Sequence, residues 1–279
     1  MSAAPGDPAP GGAESGASLR ALQLVELGIL LDVQTVCDEL GLRFFLAEGT
    51  LLGAVRHQGF IPWDDDIDLF MPRHDYERFL RQAPRLLGDR YRLQHSSTVP
   101  DYWSPVIKVR LVEGEQRFRQ TSIAHLTRDN GPLLDIFPLD YVAHDHGILL
   151  RAQSAYIRLL RGLLVQKLRT RPADSLLRRA MRMAANVVPG SVLHGQLAWA
   201  HELQGSRPRP YLASLATYHP VARQVYPADA FAESARATFE GRTFPIPAGY
   251  HEVLATTYGD YRRLPPPEQR NHRHEFTLG

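Results

Sequence analysis

The chain has 279 residues, 44% hydrophobic and 22% charged, with a net charge of +2, the balance of a globular protein of one large domain or two small ones. A chain so near neutrality carries no global field for nucleic acid or an anionic membrane, so any anion must be bound locally. Cys37 is the single cysteine, which excludes an intramolecular disulfide and a cysteine-built metal site.

Residues 1–18 are rich in Ala, Gly, Pro and Ser and read as a disordered tail. They lack the basic start and apolar run of a signal peptide. No apolar stretch is long enough to span a bilayer, so a cytoplasmic protein with no membrane span is expected. Residues 19–40 carry apolar side chains at helical spacing, and Gly41 stops the helix. "RFFLAEG" (43–49) reads as a buried strand and "TLLGAVRHQGF" (50–60) as a short helix closed by a turn. "DIDLFM" (66–71) alternates acid and apolar residues, the period of a strand. Pro72 opens the helix that continues through residue 87.

Two strands follow, at 91–95 and 104–112, and then an apolar strand at 131–142 with Asp135 inside it. Asp140, near Pro138, reads as a turn cap. This order predicts an α/β (α+β) fold, a mixed sheet with helices on its faces. Residues 146–208 form a Leu-, Ala- and Arg-rich insertion of two or three helices, broken at Pro172 and at Pro189–Gly190. Its arginines read as solvated helix faces. Short strands, a helix over 248–261 and an extended tail complete the chain. The predicted units are the tail (1–18), a catalytic core (19–145), the helical insertion (146–208) and a C-terminal part (209–279) that packs on the core.

"FIPWDDDIDLF" concentrates the chemistry. On a strand, Asp66 and Asp68 share a face, and two adjacent carboxylates repel unless a cation lies between them. Mg²⁺, with Mn²⁺ as the alternative, takes hard oxygen ligands of this kind. An acid within "LLDIFPL" is costly to bury without a partner, so Asp135 is expected to share the ion with Asp66 and Asp68. Three converging carboxylates should strain the metal-free protein, and Asp135→Asn should relieve that strain. Hydrated acids at a sheet edge would account for Asp64 and Asp65 but less well for Asp66 and Asp68. The spacing fits no EF-hand loop.

Gly49 and Thr50 sit at a strand-to-helix turn, where backbone N–H groups can approach a phosphate. Arg56 is a candidate bidentate phosphate donor. Lys108 is one of two lysines and is a candidate point charge for the same phosphates. Arg110 lies two residues on, at the same strand period. Trp63 is expected to wall the site. His272 and His274 either reach the site or face solvent.

"FLAEGTLLGAVRHQGFIPWDDDIDLFMPRHDYERF" resembles the signature of the LicD/fukutin-related family. "IKVR", "LLDIFPLDYV" and "TFPIPAGYHEVLATTYGDYRRLPPP" resemble its further segments, whereas 113–130 does not align cleanly. The resemblance implies a nucleotidyltransferase (DNA polymerase β-like) fold, with Gly49–Thr50, Asp66, Asp68 and Asp135 in the places of its turn, paired acids and third acid. It implies transfer of a phospho-alcohol group, such as phosphocholine, from a CDP-activated donor such as CDP-choline to a hydroxyl on a glycan or small molecule, with release of CMP. It implies Asp135 near the incoming hydroxyl, as general base. Transfer of AMP or CMP to a small molecule would use the same acids, and a non-catalytic nucleotide-binding module is a further alternative.

Overall fold

The computed structural model describes residues 11–99, 102, 104–112, 118–120, 129–143, 147–168, 176–203, 207–217, 219–270 and 276–278. His272 and His274 lie outside the described residues. Helix α1 (Gly11–Leu40) begins earlier than the expected residue 19. Once a helix is nucleated, each added residue gains one hydrogen bond, so "GGAESGAS" can extend a segment whose later turns are held by the core. Strand β1 (Phe45–Leu46) is shorter than expected because the chain turns into α2 (Glu48–His57) at Glu48, a non-glycine residue at φ 42°.

Next come β2 (Asp68–Pro72), α3 (Arg73–Leu87), β3 (Tyr91–Gln94), β4 (Ile107–Leu111) and β5 (Phe118–Gln120). Strand β6 (Leu133–Val142) is ten residues long and joins the sheet together. It pairs parallel with β2, antiparallel with β4, and by its last residues antiparallel with β7 (Tyr211–Ala213). The spatial order is β1-β2-β6-β4-β3, with β8 (Val225–Pro227) beside β7. Strands β9 (Ser234–Phe239) and β10 (Arg242–Pro247) form a hairpin that precedes α7 (Tyr250–Tyr258). The C-terminal tail contributes β11 (Phe276–Leu278), paired with β5.

The sheet is mixed, with helices packed against it, as the order of elements predicts. Its core centres on Phe70, whose ring meets Tyr226 at 5.9 Å, Phe231 at 6.1 Å and Phe137 at 6.4 Å. The insertion forms three helices, α4 (Ile148–Leu168), α5 (Leu176–Val187) and α6 (Gly190–Glu202). Ile157, Leu160 and Leu164 of α4 pack with Leu193, Leu197 and Ala200 of α6 in a second apolar cluster, which also takes in Val142 of β6, Ala213 of β7 and Val225 of β8.

Two expectations are corrected here. Asp140 is not a turn cap: it sits on β6, buried, and accepts two hydrogen bonds of 2.6 Å from Nε and Nη2 of Arg73. Arg110 does not reach a phosphate site. It is fully buried, donating from Nε to Gln94 Oε1 (2.9 Å), from Nη1 to the Gly131 carbonyl (2.5 Å) and from Nη2 to Gln120 Oε1 (3.4 Å). Strand period places it on the Lys108 face, but it ties β4 to β3, β5 and the start of β6. Arg110→Met should lower the unfolding free energy by about 3 kcal/mol through the acceptors it leaves unpaired. Denaturant titration should show that loss.

Candidate active site

The acids are brought together by two neighbouring strands and the loop before them. Asp68 opens β2 and lies directly beside Asp135 in the parallel pair with β6. The Asp135 N–H donates to the Ile67 carbonyl (2.8 Å), which locks the register at this point. Asp64, Asp65 and Asp66 come just before β2, and one carboxylate oxygen of each lies within 4.8 Å of the others. Ile67 and Leu69, between and beyond the acids, are fully buried and fix the strand.

The turn at Gly49–Thr50 supports these acids. Thr50 Oγ1 accepts the Asp68 N–H (2.9 Å), and the Ala47 N–H donates to the Asp68 carbonyl (2.9 Å). Thr50 is buried, so its hydroxyl holds the acid strand from inside. Gly49 lines the cleft, and a Cβ there would collide with the Asp64 carboxylate. Its lack of a side chain is what allows the close approach.

The cleft encloses about 740 Å³. Asp64, Asp66 and Asp68 line it together with Arg56, Arg263 and Arg270 and the rings of Trp63, Tyr258 and Tyr261. Arg270 lies 5.2 Å from the Trp63 ring centroid, a cation–π contact that holds both side chains. Arg56 donates to the Tyr261 carbonyl (2.9 Å), which ties α2 to the segment after α7. Trp63 therefore walls the site, as expected. Asp135, Lys108, Thr50 and Arg110 do not line the cleft.

Lys108 faces Asp135 across the β4–β6 pair, and Nζ is 2.6 Å from Oδ1 and in contact with Oδ2. Lys108 is thus the ion-pair partner of Asp135. The expectation that Asp135→Asn relieves strain is reversed, because the substitution would strand a half-buried ammonium.

Sequence reasoning missed four groups. Arg263 and Arg270 lie in what reads as an extended tail. Glu48, buried beside Gly49, has its carboxylate 3.1 Å from His219 Nε2, and its positive φ marks strain at the turn. Glu26 lies on α1 with both carboxyl oxygens buried and without a hydrogen-bond partner. An acid inside the otherwise apolar "LVELGILL" was the available signal for it.

Burial pushes the Glu26 carboxyl well above the ordinary carboxylate range, and Asp66, Asp65, Asp64 and Asp135 push it further. Burial raises Asp68 in the same way, followed by the charges of Asp66 and Asp135. This crowding fits a hard cation with oxygen ligands. Asp64, Asp65 and Asp66 are grouped closely enough to hold one, and Asp64, Asp66 and Asp68 line the same cleft.

Two outcomes are expected. In EDTA, Asp135→Asn should destabilise the protein by about 3 kcal/mol, as breaking one side of a buried pair does; melting curves in EDTA provide the check. Glu26→Gln should match wild type at low pH, where both side chains are neutral in both states. As pH rises above the ordinary carboxylate range, unfolded Glu26 ionises while folded Glu26 keeps its proton, so wild type loses stability relative to Gln. Denaturation across pH should show a gap that widens upward.

Residues 41–147 match the family model for the LicD/FKTN/FKRP nucleotidyltransferase domain. The chain is 30% identical over 261 residues to the lipopolysaccharide cholinephosphotransferase LicD of Haemophilus influenzae, covering 92% of this chain and 96% of that protein. Shorter matches are to uncharacterized proteins of Rickettsia typhi, 36% identical over 77 residues (28% of this chain, 24% of that protein), and Rickettsia prowazekii, 41% identical over 63 residues (23% of each). The full-length match, together with a family-model match that spans the acid strands, shows that this chain belongs to the LicD family.

Proposed function

We propose that the chain is a Mg²⁺-dependent transferase that moves a phospho-alcohol group, phosphocholine or a close analogue, from a CDP-activated donor to a hydroxyl of a glycan or small-molecule acceptor, releasing CMP. The sheet would be of the nucleotidyltransferase type. The observation that carries the reading is a cleft lined both by carboxylates, Asp64, Asp66 and Asp68, and by the guanidinium groups of Arg56, Arg263 and Arg270. A pyrophosphate bridged to carboxylates through a divalent ion, and held by guanidinium groups elsewhere, needs both. The full-length similarity to a cholinephosphotransferase supports the choice of group.

Asp66 and Asp68 would hold the ion, which would supply neutralisation of charge on the transferring phosphoryl group and the departing CMP. Arg263 and Arg270 would orient the donor phosphates by charge-assisted hydrogen bonds, and Trp63 and Tyr258 would exclude water. Gly49, without a side chain, lets the Asp64 carboxylate lie against the turn beside the cleft. Thr50 holds Asp68 in place from the protein side. Lys108 would act through Asp135 and not on the donor itself. Asp135 takes the third acid position. If Asp135 accepts the hydroxyl proton, its contact with Lys108 must loosen in the donor complex.

Asp66→Asn and Asp68→Asn should each abolish turnover while the fold survives. Arg270→Met should weaken donor binding by roughly tenfold to a hundredfold, the worth of one charge-assisted hydrogen bond. Mass analysis of products with CDP-choline, Mg²⁺ and a glycan acceptor tests the chemistry. Phosphocholine on the acceptor with free CMP supports it, whereas a nucleotide adduct identifies nucleotidyl transfer instead.

A further inference from the structure

We infer that the helical insertion is a docking face for an anionic lipid bilayer, lying on the membrane surface. Charge is segregated in this chain. Residues 147–201 hold nine Lys or Arg and a single acid, Asp174, a net of +8. The whole chain carries +2, so the remainder carries −6. Near-neutrality overall conceals a strongly cationic subdomain attached to an acidic one.

The same subdomain exposes its apolar side chains. Among the described residues, nine of the twelve large hydrophobic side chains left exposed lie between Ile148 and Leu203. On α5 they form a stripe: Leu176, Met183 and Val187 follow at i, i+7 and i+11, and are 82%, 70% and 83% exposed. Ala185, on the opposite side of α5, is fully buried. Helix α6 repeats the spacing with Val192, Trp199 and Leu203, while Leu193, Leu197 and Ala200 face inward against α4. Each helix therefore has an inner apolar face that is used and an outer one that is not.

Charge selects the occupant. A second copy of this chain docked through the same face would bring two cationic segments together, a repulsive arrangement even with Arg161 buried and turned to the Ala216 carbonyl. An anionic lipid surface attracts each nearby Lys or Arg and also accepts the apolar stripe. It needs no matching pocket, and two outward ridges on separate helices offer none. Exposed Arg179 stands on α5 beside the stripe, and Trp199 has the amphipathic ring that partitions to headgroup depth. No described helix is long and apolar enough to cross a membrane, so the contact would lie in the interface plane. It does not depend on the chemistry proposed for the cleft.

Co-sedimentation of the full chain with vesicles tests this. Vesicles of phosphatidylcholine mixed with phosphatidylglycerol should bind the protein, whereas phosphatidylcholine alone should not. Raising the salt should release it. Arg179→Gln should lower the partition about fivefold. Met183→Glu with Val187→Glu should lower it by about tenfold or more with an unchanged melting curve, since both side chains are solvent-exposed. Val192→Gln on α6 gives an independent variant should the double change disturb folding. Equal affinity for both vesicle types, no binding to either, or variants that bind as wild type would overturn the inference. So would a wild-type dimer in solution that Met183→Glu dissociates.

Discussion

Repulsion among buried carboxyl groups is the constraint on which the rest of this structure depends. Asp66, Asp68 and Asp135 are buried beside one another, with Asp64 and Asp65 adjoining and Glu26 and Glu48 behind. Burial alone disfavours their charged forms, and each ionised neighbour disfavours them further. The fold tolerates this through several compensations. Lys108 balances Asp135, His219 lies beside Glu48, and burial with the neighbouring acids pushes the Glu26 carboxyl well above the ordinary range, which disfavours its charged form. Around them the backbone is made rigid: Thr50 grips the Asp68 N–H, and Ile67 and Leu69 fill the core between the acids. A polar cluster supported this heavily is far costlier than an apolar core of the same volume, which is the physical reason to read it as a working site.

The parts legible in the sequence were those that local rules control. An acid inside "LLDIFPL" points to a carboxylate beside Asp68, and the register places Asp68 beside Asp135, whereas Asp66, expected on the same strand face as Asp68, lies before β2. The break before α6 is legible as Pro189–Gly190. What could not be read depended on depth or on tertiary path. Arg110 shares a strand period with Lys108, but period says nothing of burial, and the side chain is spent on Gln94, Gln120 and Gly131. Arg263 and Arg270 lie in a Pro-rich segment without local structure to announce them. Only the course of the chain after α7 carries Arg270 over Trp63 and both arginines into the cleft. The Lys108–Asp135 pair depends on the pairing of β4 with β6, which the sequence order of the strands does not specify.

The charge division between core and insertion bears on the same site. Acidic groups gather where the sheet and α1 meet, whereas nearly all of the basic excess sits on α4, α5 and the residues between them. Each half alone would be strongly charged, and their attachment in one chain gives the small net value. Leu176, Met183 and Val187 belong to neither apolar cluster, so substitutions on the outer face of α5 can be made without touching the acid strands.

The central claim is that Asp66 and Asp68 hold a divalent ion against a donor pyrophosphate. Titration of Mn²⁺ followed by electron paramagnetic resonance reads that directly, because the free-ion signal falls as the ion is bound. The account predicts weak binding to wild type alone, markedly tighter binding once CDP-choline is present, and loss of both in Asp68→Asn. Binding that is unchanged in Asp68→Asn, or indifferent to the donor, would contradict it.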